Sequence, residues 1–516
     1  MLTPFKNEPL TDFSVKENAE RMRAALEKVE SELGKTYKLF IDGKWIEADE
    51  TFVSINPSEK DQVVGVFQKA TVDHVNQAVE AATKAFEFWS RVPPEERAMV
   101  LIRAAHVLRQ RKLEFAAWQV FEVGKNWVEA DADVAEAIDY LEFYAREMIR
   151  YAQPQPLTPI ATEHNEYFYI PLGPVAVIPP WNFPLAILLG MTVAAIVTGN
   201  TVVLKPSSDA PAVATKFVEL MQEVGLPEGV LNLVTGPGGA IGDALVAHPK
   251  IRMIAFTGSK EVGIHIYELA AKVQPGQIWL KRVIAEMGGK DAIIVEADAD
   301  LEDAARAVVA SAYGYQGQKC SAGSRLIITE PIYDQFLEMV IEKAKQLQIG
   351  PAKENYPVGP VINAAAERKI LTYIEIGKNE GRLVLGGEKA PGNGFYIKPT
   401  IFADVPENAR IAQEEIFGPV LSVIKAKDFD DALRIANGTI YGLTGSVFTK
   451  DRMKIHKAKR EFHVGNLYIN RKCTGALVDV HPFGGFNMSG TDSKAGGRDY
   501  LLLFMQAKSV SERYTF

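Results

Sequence analysis

The stretch of residues 173–204, GPVAVIPPWNFPLAILLGMTVAAIVTGNTVVL, contains two short β-type runs separated by one long apolar run. The runs Val175–Ile178 and Thr201–Leu204 are rich in β-branched residues, whereas Ala186–Val197 is long and apolar enough for a buried helix. A strand, a crossover helix and a second strand form a βαβ unit, whose two strands are parallel. The stretch therefore predicts a parallel sheet with helices packed on its faces.

The same alternation continues towards the C-terminus. Val230–Val234 and Met253–Phe256 read as further strands between helical patterns, and a second alternating region runs from Asp291 to about Asn470. A chain of 516 residues is too long for one ordinary core. We therefore predict an α/β protein with two parallel-sheet domains that divide near Glu286.

Two segments remain outside both predicted sheets. Residues 152–170 and the end of the chain, residues 501–516, have strand-like patterns without an obvious partner. Unpaired strands promote association unless another chain covers them, so we expect a subunit partner. The predicted domains are residues 1–151 with 171–285, residues 286–482, and a projecting segment formed by residues 152–170 and 483–516.

Composition and charge exclude several classes of protein. The chain is 47% hydrophobic and 24% charged, which is typical of a globular protein. Its 57 basic and 65 acidic residues give a formal charge of −8, and no basic cluster indicates a nucleic-acid partner. The longest nearly apolar run, Pro184–Val197, is shorter than the roughly 20 residues of a membrane-spanning helix.

The cysteine count and the N-terminus bear on the compartment. Cys320 and Cys473 are too few for a disulfide framework or a thiolate zinc site, and no metal-ligand spacing appears elsewhere. Residues 1–10 lack the apolar core of a signal peptide. We expect a cytoplasmic protein without a metal and without a membrane partner.

Cys320 is the first candidate for chemistry. A lone cysteine is most often a small buried hydrophobe, but the flanks in QGQKCSAG, residues 316–323, are small, polar and rich in glycine. Such flanks favour a position at a helix start, where a thiol pKa is lowered, and Lys319 would add positive charge. A thiol hydrolase would need a histidine beside the cysteine, and none of the eight histidines lies in a recognisable signature.

Two further side chains complete a candidate site. Glu286 ends an apolar-flanked run and is followed by Gly288-Gly289, so it is either a general base projecting into a cleft or a surface residue before a turn. Asn182 lies among three prolines. It is either a rigid oxyanion donor, worth about 2.7–4 kcal/mol of barrier, or part of a proline-rich turn.

The usual dinucleotide fingerprint is absent. Gly236-Pro237-Gly238 would need a glycine at position 241 to complete G-x-G-x-x-G, and Ile241 stands there. A phosphate is instead expected at the helix start after Phe256-Thr257-Gly258-Ser259, with Lys205 able to reach ribose hydroxyls.

In their order along the chain, these elements resemble the aldehyde dehydrogenase superfamily. The matching motifs are PWNFP (180–184), KPSS (205–208), GLP (225–227), FTGS (256–259) with Gly263, ExGGK (286–290), GQxC (317–320), EEIFGP (414–419) and PFGG (482–485). The resemblance implies an aldehyde dehydrogenase-like fold with a Rossmann-type cofactor domain, a second α/β catalytic domain and a small projecting β oligomerisation segment, joined as a homo-oligomer with a dimer as its smallest unit.

The resemblance also implies the roles of the site residues. Cys320 is the nucleophile, Glu286 the general base, and Asn182 forms the oxyanion hole with the Cys320 N–H. NAD is the implied cofactor, and the residues that would bind it are Pro180, Trp181, Lys205, Ser208, Gly258, Ser259, Gly263, Glu415 and Phe417. Many family members carry glutamate at the position of Ser208, where it grips the adenosine ribose, so we expect NADP to be tolerated as well.

The C-terminal motifs resemble the 1-pyrroline-5-carboxylate dehydrogenase branch of that superfamily. They are CTGALVD (473–479), FGG (483–485), SGT (489–491) and KAGG (494–497). This implies a small-molecule aldehyde substrate, glutamate γ-semialdehyde, in proline catabolism. The implied substrate-binding residues are Glu136, Phe183, Lys319, Ser321, Gly475 and Ala476. The alternatives are succinate semialdehyde or another acidic aldehyde and, in a different class, a cofactor-free thiol hydrolase.

Overall fold

The computed structural model describes residues 3–514 of the chain. Its N-terminal part is mainly helical. The elements are α1 (Lys16–Glu30), β1 (Lys35–Tyr37), β2 (Leu39–Ile41), β3 (Lys44–Ile46), β4 (Thr51–Asn56), β5 (Glu59–Gln68), α2 (Val72–Trp89), α3 (Pro94–Gln110), α4 (Lys112–Val123), α5 (Trp127–Tyr151) and β6 (Glu163–Pro171).

The first large sheet follows in strict alternation with helices. Its elements are β7 (Pro174–Ile178), α6 (Ala186–Val197), β8 (Thr201–Leu204), α7 (Pro211–Glu223), β9 (Leu231–Leu233), α8 (Gly238–Ala247), β10 (Met253–Thr257), α9 (Lys260–Ala271) and β11 (Arg282–Glu286). The sheet has seven strands in the order β11-β10-β7-β8-β9-β2-β3, and the first five are parallel. The α/β prediction is confirmed, and α6 spans the residues predicted for the crossover helix.

Both faces of this sheet are covered. Val175 and Val177 of β7 pack into a core cluster with α5 and α6, while Ala176 between them packs into a second cluster with α2 and α8. Successive side chains of a strand point to opposite faces of the sheet. Every residue of a central strand therefore packs against apolar side chains, on one face or the other. Such strands read as continuous apolar runs, which is why the sequence predicts them.

The second large sheet begins with β12, which is separated from the end of β11 by four residues. Its region contains β12 (Asp291–Val295), α10 (Leu301–Tyr313), β13 (Gly323–Thr329), α11 (Tyr333–Lys345), α12 (Ala364–Glu380), β14 (Arg382–Leu385), β15 (Thr400–Ala403), α13 (Arg410–Gln413), β16 (Val420–Ala426), α14 (Phe429–Asn437), β17 (Tyr441–Gly442), β18 (Thr444–Phe448), α15 (Arg452–Glu461), β19 (Asn466–Ile469), β20 (Phe486–Asn487) and β21 (Met505–Arg513). Seven of these strands form a sheet in the order β14-β15-β16-β13-β12-β18-β19.

The two leftover segments pair with each other. β6 and β21 form an antiparallel ribbon in which Glu163 lies opposite Arg513 and Pro171 opposite Met505. Residues 483–504 do not belong to this ribbon, because they lead from the second sheet back past the end of β11. The domain boundaries given above remain a prediction. Within residues 3–514, no helix is long and apolar enough to cross a membrane.

Candidate active site

The candidate site lies where the two large sheets meet. β7, β8, β10 and β11 are parallel neighbours, so their carboxyl ends share one edge of the first sheet. Asn182, Lys205 and Gly258 follow three of these strands, and Glu286 ends the fourth. Ligands of parallel α/β sheets bind at this edge. The topology therefore brings together residues that are far apart in sequence.

A cleft of about 640 Å³ runs along this edge. It contains most of the predicted nucleophile, oxyanion and cofactor residues, namely Pro180, Trp181, Asn182, Lys205, Ser208, Gly258, Ser259, Cys320, Glu415 and Phe417. Gly263 does not line it. A Cβ at Gly263 would lie 2.5 Å from the sulfur of Met287, so this glycine serves the close packing of α9 on the residue after Glu286.

Several lining residues are missed by sequence reasoning. Lys369 borders the cleft close to Glu415, and Gly238 and Gly239 leave open space beside Lys205. His265 and Asp243 also line it, with Nε2 and Oδ1 2.9 Å apart, and this contact joins α8 to α9. Gly238 and Gly239 lie within the incomplete dinucleotide fingerprint at residues 236–241, so the sequence does contain a signal for them. Nothing in the sequence singles out Lys369, His265 or Asp243.

Cys320 does not lie at a helix start. It follows the 3₁₀ turn Gly314–Gly317 that continues the carboxyl end of α10, and β13 begins three residues later. Burial raises the pKa of its thiol, and the nearby carboxylates of Asp291, Glu415 and Glu286 add to the effect. The predicted lowering of the thiol pKa is therefore wrong. The thiol needs a proton acceptor before it can act as a nucleophile.

The turn before the nucleophile has an unusual backbone. The backbone is left-handed here, with φ values of +49° at Tyr315, +57° at Gln316 and +69° at Gly317. For the two residues other than glycine, this conformation costs conformational energy. The Tyr315 hydroxyl donates to the carbonyl of Val123 at 2.7 Å, and the Gln316 amide donates to that of Pro360 at 2.8 Å. These bonds hold the turn in the geometry that presents Cys320 to the cleft.

Asn182 is positioned as an oxyanion donor. Its side chain is buried, and its Nδ2 donates to the carbonyl of Gln318, two residues before Cys320, at 3.0 Å. Both Asn182 and Cys320 line the cleft. The flanking prolines restrict the backbone, so the amide is held beside the nucleophile with little rotational freedom.

Glu286 is held by residues on both sides of β20. Its Oε1 accepts from the Ser493 hydroxyl at 2.6 Å, and its Oε2 accepts from the Gly485 N–H at 3.1 Å. A Cβ at Gly490 would lie 2.9 Å from both oxygens, so the carboxylate fits only because this position has no side chain. Burial raises the pKa of Glu286 to about 8, even though the Ser493 bond lowers it. No motif in the sequence points to Ser493.

Six charged residues form a cluster that includes Lys319, the residue before Cys320: Lys125, Glu129, Asp133, Glu136, Lys319 and Lys472. We refer to them as the charged cluster. Lys125 and Asp133 form a fully buried ion pair of 2.7 Å. Lys319 pairs with Glu129 at 2.7 Å rather than lying free to receive a substrate carboxylate. The ion pair lowers the pKa of Glu129, although burial alone would raise it.

Glu136 belongs to this cluster, and Phe183 borders it through Lys125. Burial, followed by the charge of Asp133, raises the pKa of Glu136 to about 8, and the Tyr140 hydroxyl donates to it at 3.2 Å. The ammonium of Lys125 lies 4.1 Å from the centre of the Phe183 ring, a cation–π contact. Glu136 thus lacks a cation in direct contact among the described residues, which leaves it suited to receive one.

The loop of residues 474–479, termed the anchor loop, adjoins the nucleophile. The Arg471 guanidinium donates to the carbonyls of Thr474 and Gly475, both at 3.1 Å. In a trans peptide the N–H points opposite to the C=O, so the N–H groups of Gly475 and Ala476 point away from Arg471. The preceding residue, Cys473, donates from its thiol to the carbonyl of Ser321 at 3.3 Å. The loop thereby lies beside Ser321 and can offer two N–H donors to an anion.

The cleft fits a dinucleotide. Its volume lies within the range of about 300–1,000 Å³ typical of ligand sites. Ser259 caps α9, whose first N–H groups face a phosphate position, and burial lowers the pKa of Lys205 to about 8 beside the ribose position. At the other end, Glu415 accepts from the Gly289 N–H at 3.0 Å. Among residues 3–514, no group of three acidic, histidine or cysteine side chains is arranged to hold a metal ion.

Comparison with known proteins agrees with this geometry. Residues 45–510 match the model of the aldehyde dehydrogenase family. A 1-pyrroline-5-carboxylate dehydrogenase of Geobacillus sp. (strain WCH70) is 59% identical, and 1-pyrroline-5-carboxylate dehydrogenase 2 of Bacillus subtilis (strain 168) is 57% identical, each over 515 residues and 100% of both chains. The crystal structure of 1-pyrroline-5-carboxylate dehydrogenase from Thermus with bound NAD has a TM-score of 0.99 at 54% identity, covering 99% of this chain and 100% of that one.

The Ser493 contact predicts a pH effect. Ser493→Ala removes a hydrogen bond that favours the ionised carboxylate of Glu286. Since such a bond is worth about 1.5–3 kcal/mol, we expect the carboxyl pKa to rise by about 1 unit or more. A general base acts only when ionised, so the acidic limb of the rate should move to higher pH. The measurement is steady-state hydrolysis of p-nitrophenyl acetate after its burst, as a function of pH.

Ser493→Thr keeps the hydroxyl and is the matched control, with an expected profile close to that of the wild type. An unshifted profile in Ser493→Ala, in a variant that unfolds at the wild-type temperature, would contradict the role of Ser493.

Proposed function

The chain belongs to the aldehyde dehydrogenase family, and we propose that it oxidises L-glutamate γ-semialdehyde, the open form of 1-pyrroline-5-carboxylate, to L-glutamate with NAD. The single observation that carries this substrate is that the residues flanking Cys320 contact two sets of polar groups: Lys319 belongs to the charged cluster, and Ser321 contacts the residue that precedes the anchor loop. The relatives named as 1-pyrroline-5-carboxylate dehydrogenases support the same substrate. By this proposal the protein acts in proline catabolism.

The substrate carries one positive and one negative group besides its aldehyde. The anchor-loop N–H groups of Gly475 and Ala476 suit the α-carboxylate, and the loop follows Cys473, whose thiol contacts the backbone carbonyl of Ser321. Glu136 suits the α-ammonium, because a cation next to a buried carboxyl favours its ionised form. Phe183 packs near the aliphatic chain, held by Lys125. Succinate semialdehyde would occupy the anchor loop but leave Glu136 without a cation.

Cys320 begins the reaction. Its thiol loses a proton to a base, for which we propose Glu286, one of three carboxylates that act on the thiol, and the thiolate adds to the aldehyde carbon. The oxygen of the resulting thiohemiacetal receives hydrogen bonds from Asn182 Nδ2 and the Cys320 N–H. The aldehyde carbon then loses its hydride and becomes a thioester. When bound, NAD supplies the acceptor for this hydride.

Glu286 completes the reaction. It takes a proton from a water molecule, whose oxygen adds to the thioester carbon, and the Cys320 thiolate leaves. The product is L-glutamate, whose new carboxylate carries the oxygen from water. A pKa of about 8 places Glu286 close to the range in which it can both accept and release a proton near neutral pH.

The proposal extends to the assembly and the compartment. The β6–β21 ribbon has only two strands, and such ribbons are marginal alone, which favours a homodimer in which a second copy covers it. Ile278 and Leu280, just before the edge strand β11, expose 85% and 75% of their surface and provide apolar area for the same contact. Cys320 and Cys473 are free thiols, which suits the reducing cytoplasm.

The assay that tests this function is NAD reduction by the purified protein with glutamate semialdehyde and, separately, with succinate semialdehyde. We expect kcat/KM for glutamate semialdehyde to be higher by about tenfold or more, since one charged hydrogen bond is worth about 1.5–3 kcal/mol. Cys320→Ala should lose activity by several orders of magnitude with both. A preference for succinate semialdehyde would contradict the substrate, and activity that survives in Cys320→Ala would contradict the mechanism.

Ser208 predicts the choice of cofactor. It lines the cleft on the Lys205 side, where a carboxylate would repel the 2′-phosphate of NADP, and we propose that the wild type accepts NADP alongside NAD. The Ser208→Glu variant should lose NADP turnover by about tenfold or more while keeping NAD turnover. The measurement is the ratio of kcat/KM for the two cofactors. A wild-type preference for NAD on the order of 10³ or more would contradict the proposal.

A further inference from the structure

Residues 3–13, which we refer to as the strap, run along helix α5 as an extended segment. Its start is held where the Arg146 guanidinium donates to the carbonyl of Thr3 at 2.9 Å, and the ring of Phe5 packs on that of Phe143 with centroids 5.3 Å apart. Its end is held by an edge contact between Phe13 and Trp127. The strap therefore follows α5 over most of the helix.

Two buried carboxylates of α5 bind the strap. Asp139 accepts from the Glu8 N–H at 2.6 Å, and Asp131 accepts from both the N–H and the hydroxyl of Thr11, at 2.8 and 2.6 Å. Lys112 then joins Asp131 to the strap by donating to the carbonyl of Pro9. Charged acceptors make these bonds stronger than neutral ones. The strap is thus fixed to the helix rather than lying loosely on it.

Asn7 joins the strap to the anchor loop. Its Nδ2 donates to Asp139 Oδ2 at 2.9 Å and to the carbonyl of Val478 at 3.0 Å. Val478 is buried, and it packs in the same core cluster as α5. One amide group therefore connects α5 directly to the loop, across 471 residues of sequence.

The same helix carries the proposed ammonium acceptor on another face. Asp131 and Asp139 point to the strap, whereas Asp133 and Glu136 belong to the charged cluster, as the 3.6-residue periodicity of a helix allows. α5 lies between the strap and the substrate region. A contact that fixes the anchor loop against α5 also fixes the separation between the loop's N–H groups and Glu136.

We propose that Asn7 is a positioning residue for substrate selectivity, and that the strap sets the spacing between the carboxylate-binding anchor loop and Glu136. This rests on the proposed function, because it assumes a substrate that is held at both ends. An aldehyde without charged groups uses neither end and is indifferent to the spacing. The strap therefore distinguishes amino-acid aldehydes from simple ones.

The test compares KM and kcat of the wild type and Asn7→Ala for glutamate semialdehyde and for propanal, with NAD saturating. Two hydrogen bonds are lost, so we expect KM for glutamate semialdehyde to rise about tenfold with little change in kcat. For propanal, kcat/KM should stay within about twofold. Asn7→Asp keeps the size but cannot donate to the Val478 carbonyl and would repel the Asp139 carboxylate, so it should raise KM for glutamate semialdehyde at least as much.

Glu8→Gln is the matched control. It weakens the ion pair with Arg109 on the same strap but leaves the Asn7 contacts and the Glu8 N–H bond in place, so KM for both aldehydes should match the wild type. An unchanged KM in Asn7→Ala, or an equal effect on both aldehydes, overturns the inference. If the wild type itself handles propanal as well as glutamate semialdehyde, the proposed function fails and the inference falls with it.

Discussion

The buried ion pair between Lys125 and Asp133 connects three parts of the site. Both side chains are fully buried, and removing one partner of such a pair costs about 3–5 kcal/mol because an uncompensated charge remains. Asp133 also accepts from the Ala186 N–H at the start of α6, and Lys125 lies over the rings of Phe183 and Tyr315. The pair thereby fixes α5, the Asn182 loop and the turn before Cys320 to one another.

Burial also shifts the pKa values of the groups that exchange protons in the site. It raises the pKa of the Cys320 thiol and brings the pKa of Glu286 and Glu136 to about 8. Near neutral pH the empty site therefore tends to hold these protons. Charges that arrive with ligands favour ionisation, so we expect the nucleophile and the bases to be activated when the site is filled.

The sequence predicts those features that depend on local pattern. Continuous apolar runs identify the buried strands, and the limits of α6 follow from its composition. The chemistry-bearing motifs also place Cys320, Asn182 and most cofactor residues in one cleft, because parallel strands end at a common edge. Features set by distant contacts were not predictable. Lys319 meets Glu129 across 190 residues, and Ser493 meets Glu286 across 207.

The error over Cys320 has the same origin. Small, polar, glycine-rich flanks are common to helix starts and to tight turns, and only the left-handed run at Tyr315 and Gln316 distinguishes them here. That run is stabilised by carbonyls of Val123 and Pro360, which lie in other parts of the chain. The local pattern therefore singles out Cys320 as a candidate nucleophile but does not predict the electrostatics around it.

In the proposed mechanism, Cys320 carries the substrate as a thioester that Glu286 hydrolyses. The most direct measurement is mass spectrometry of peptides from the Glu286→Gln variant, quenched after mixing with glutamate semialdehyde and NAD. We expect a glutamyl adduct on the peptide that contains Cys320, and only when NAD is present. An adduct on the Cys473 peptide instead, or turnover by this variant at the wild-type rate without any adduct, would contradict it.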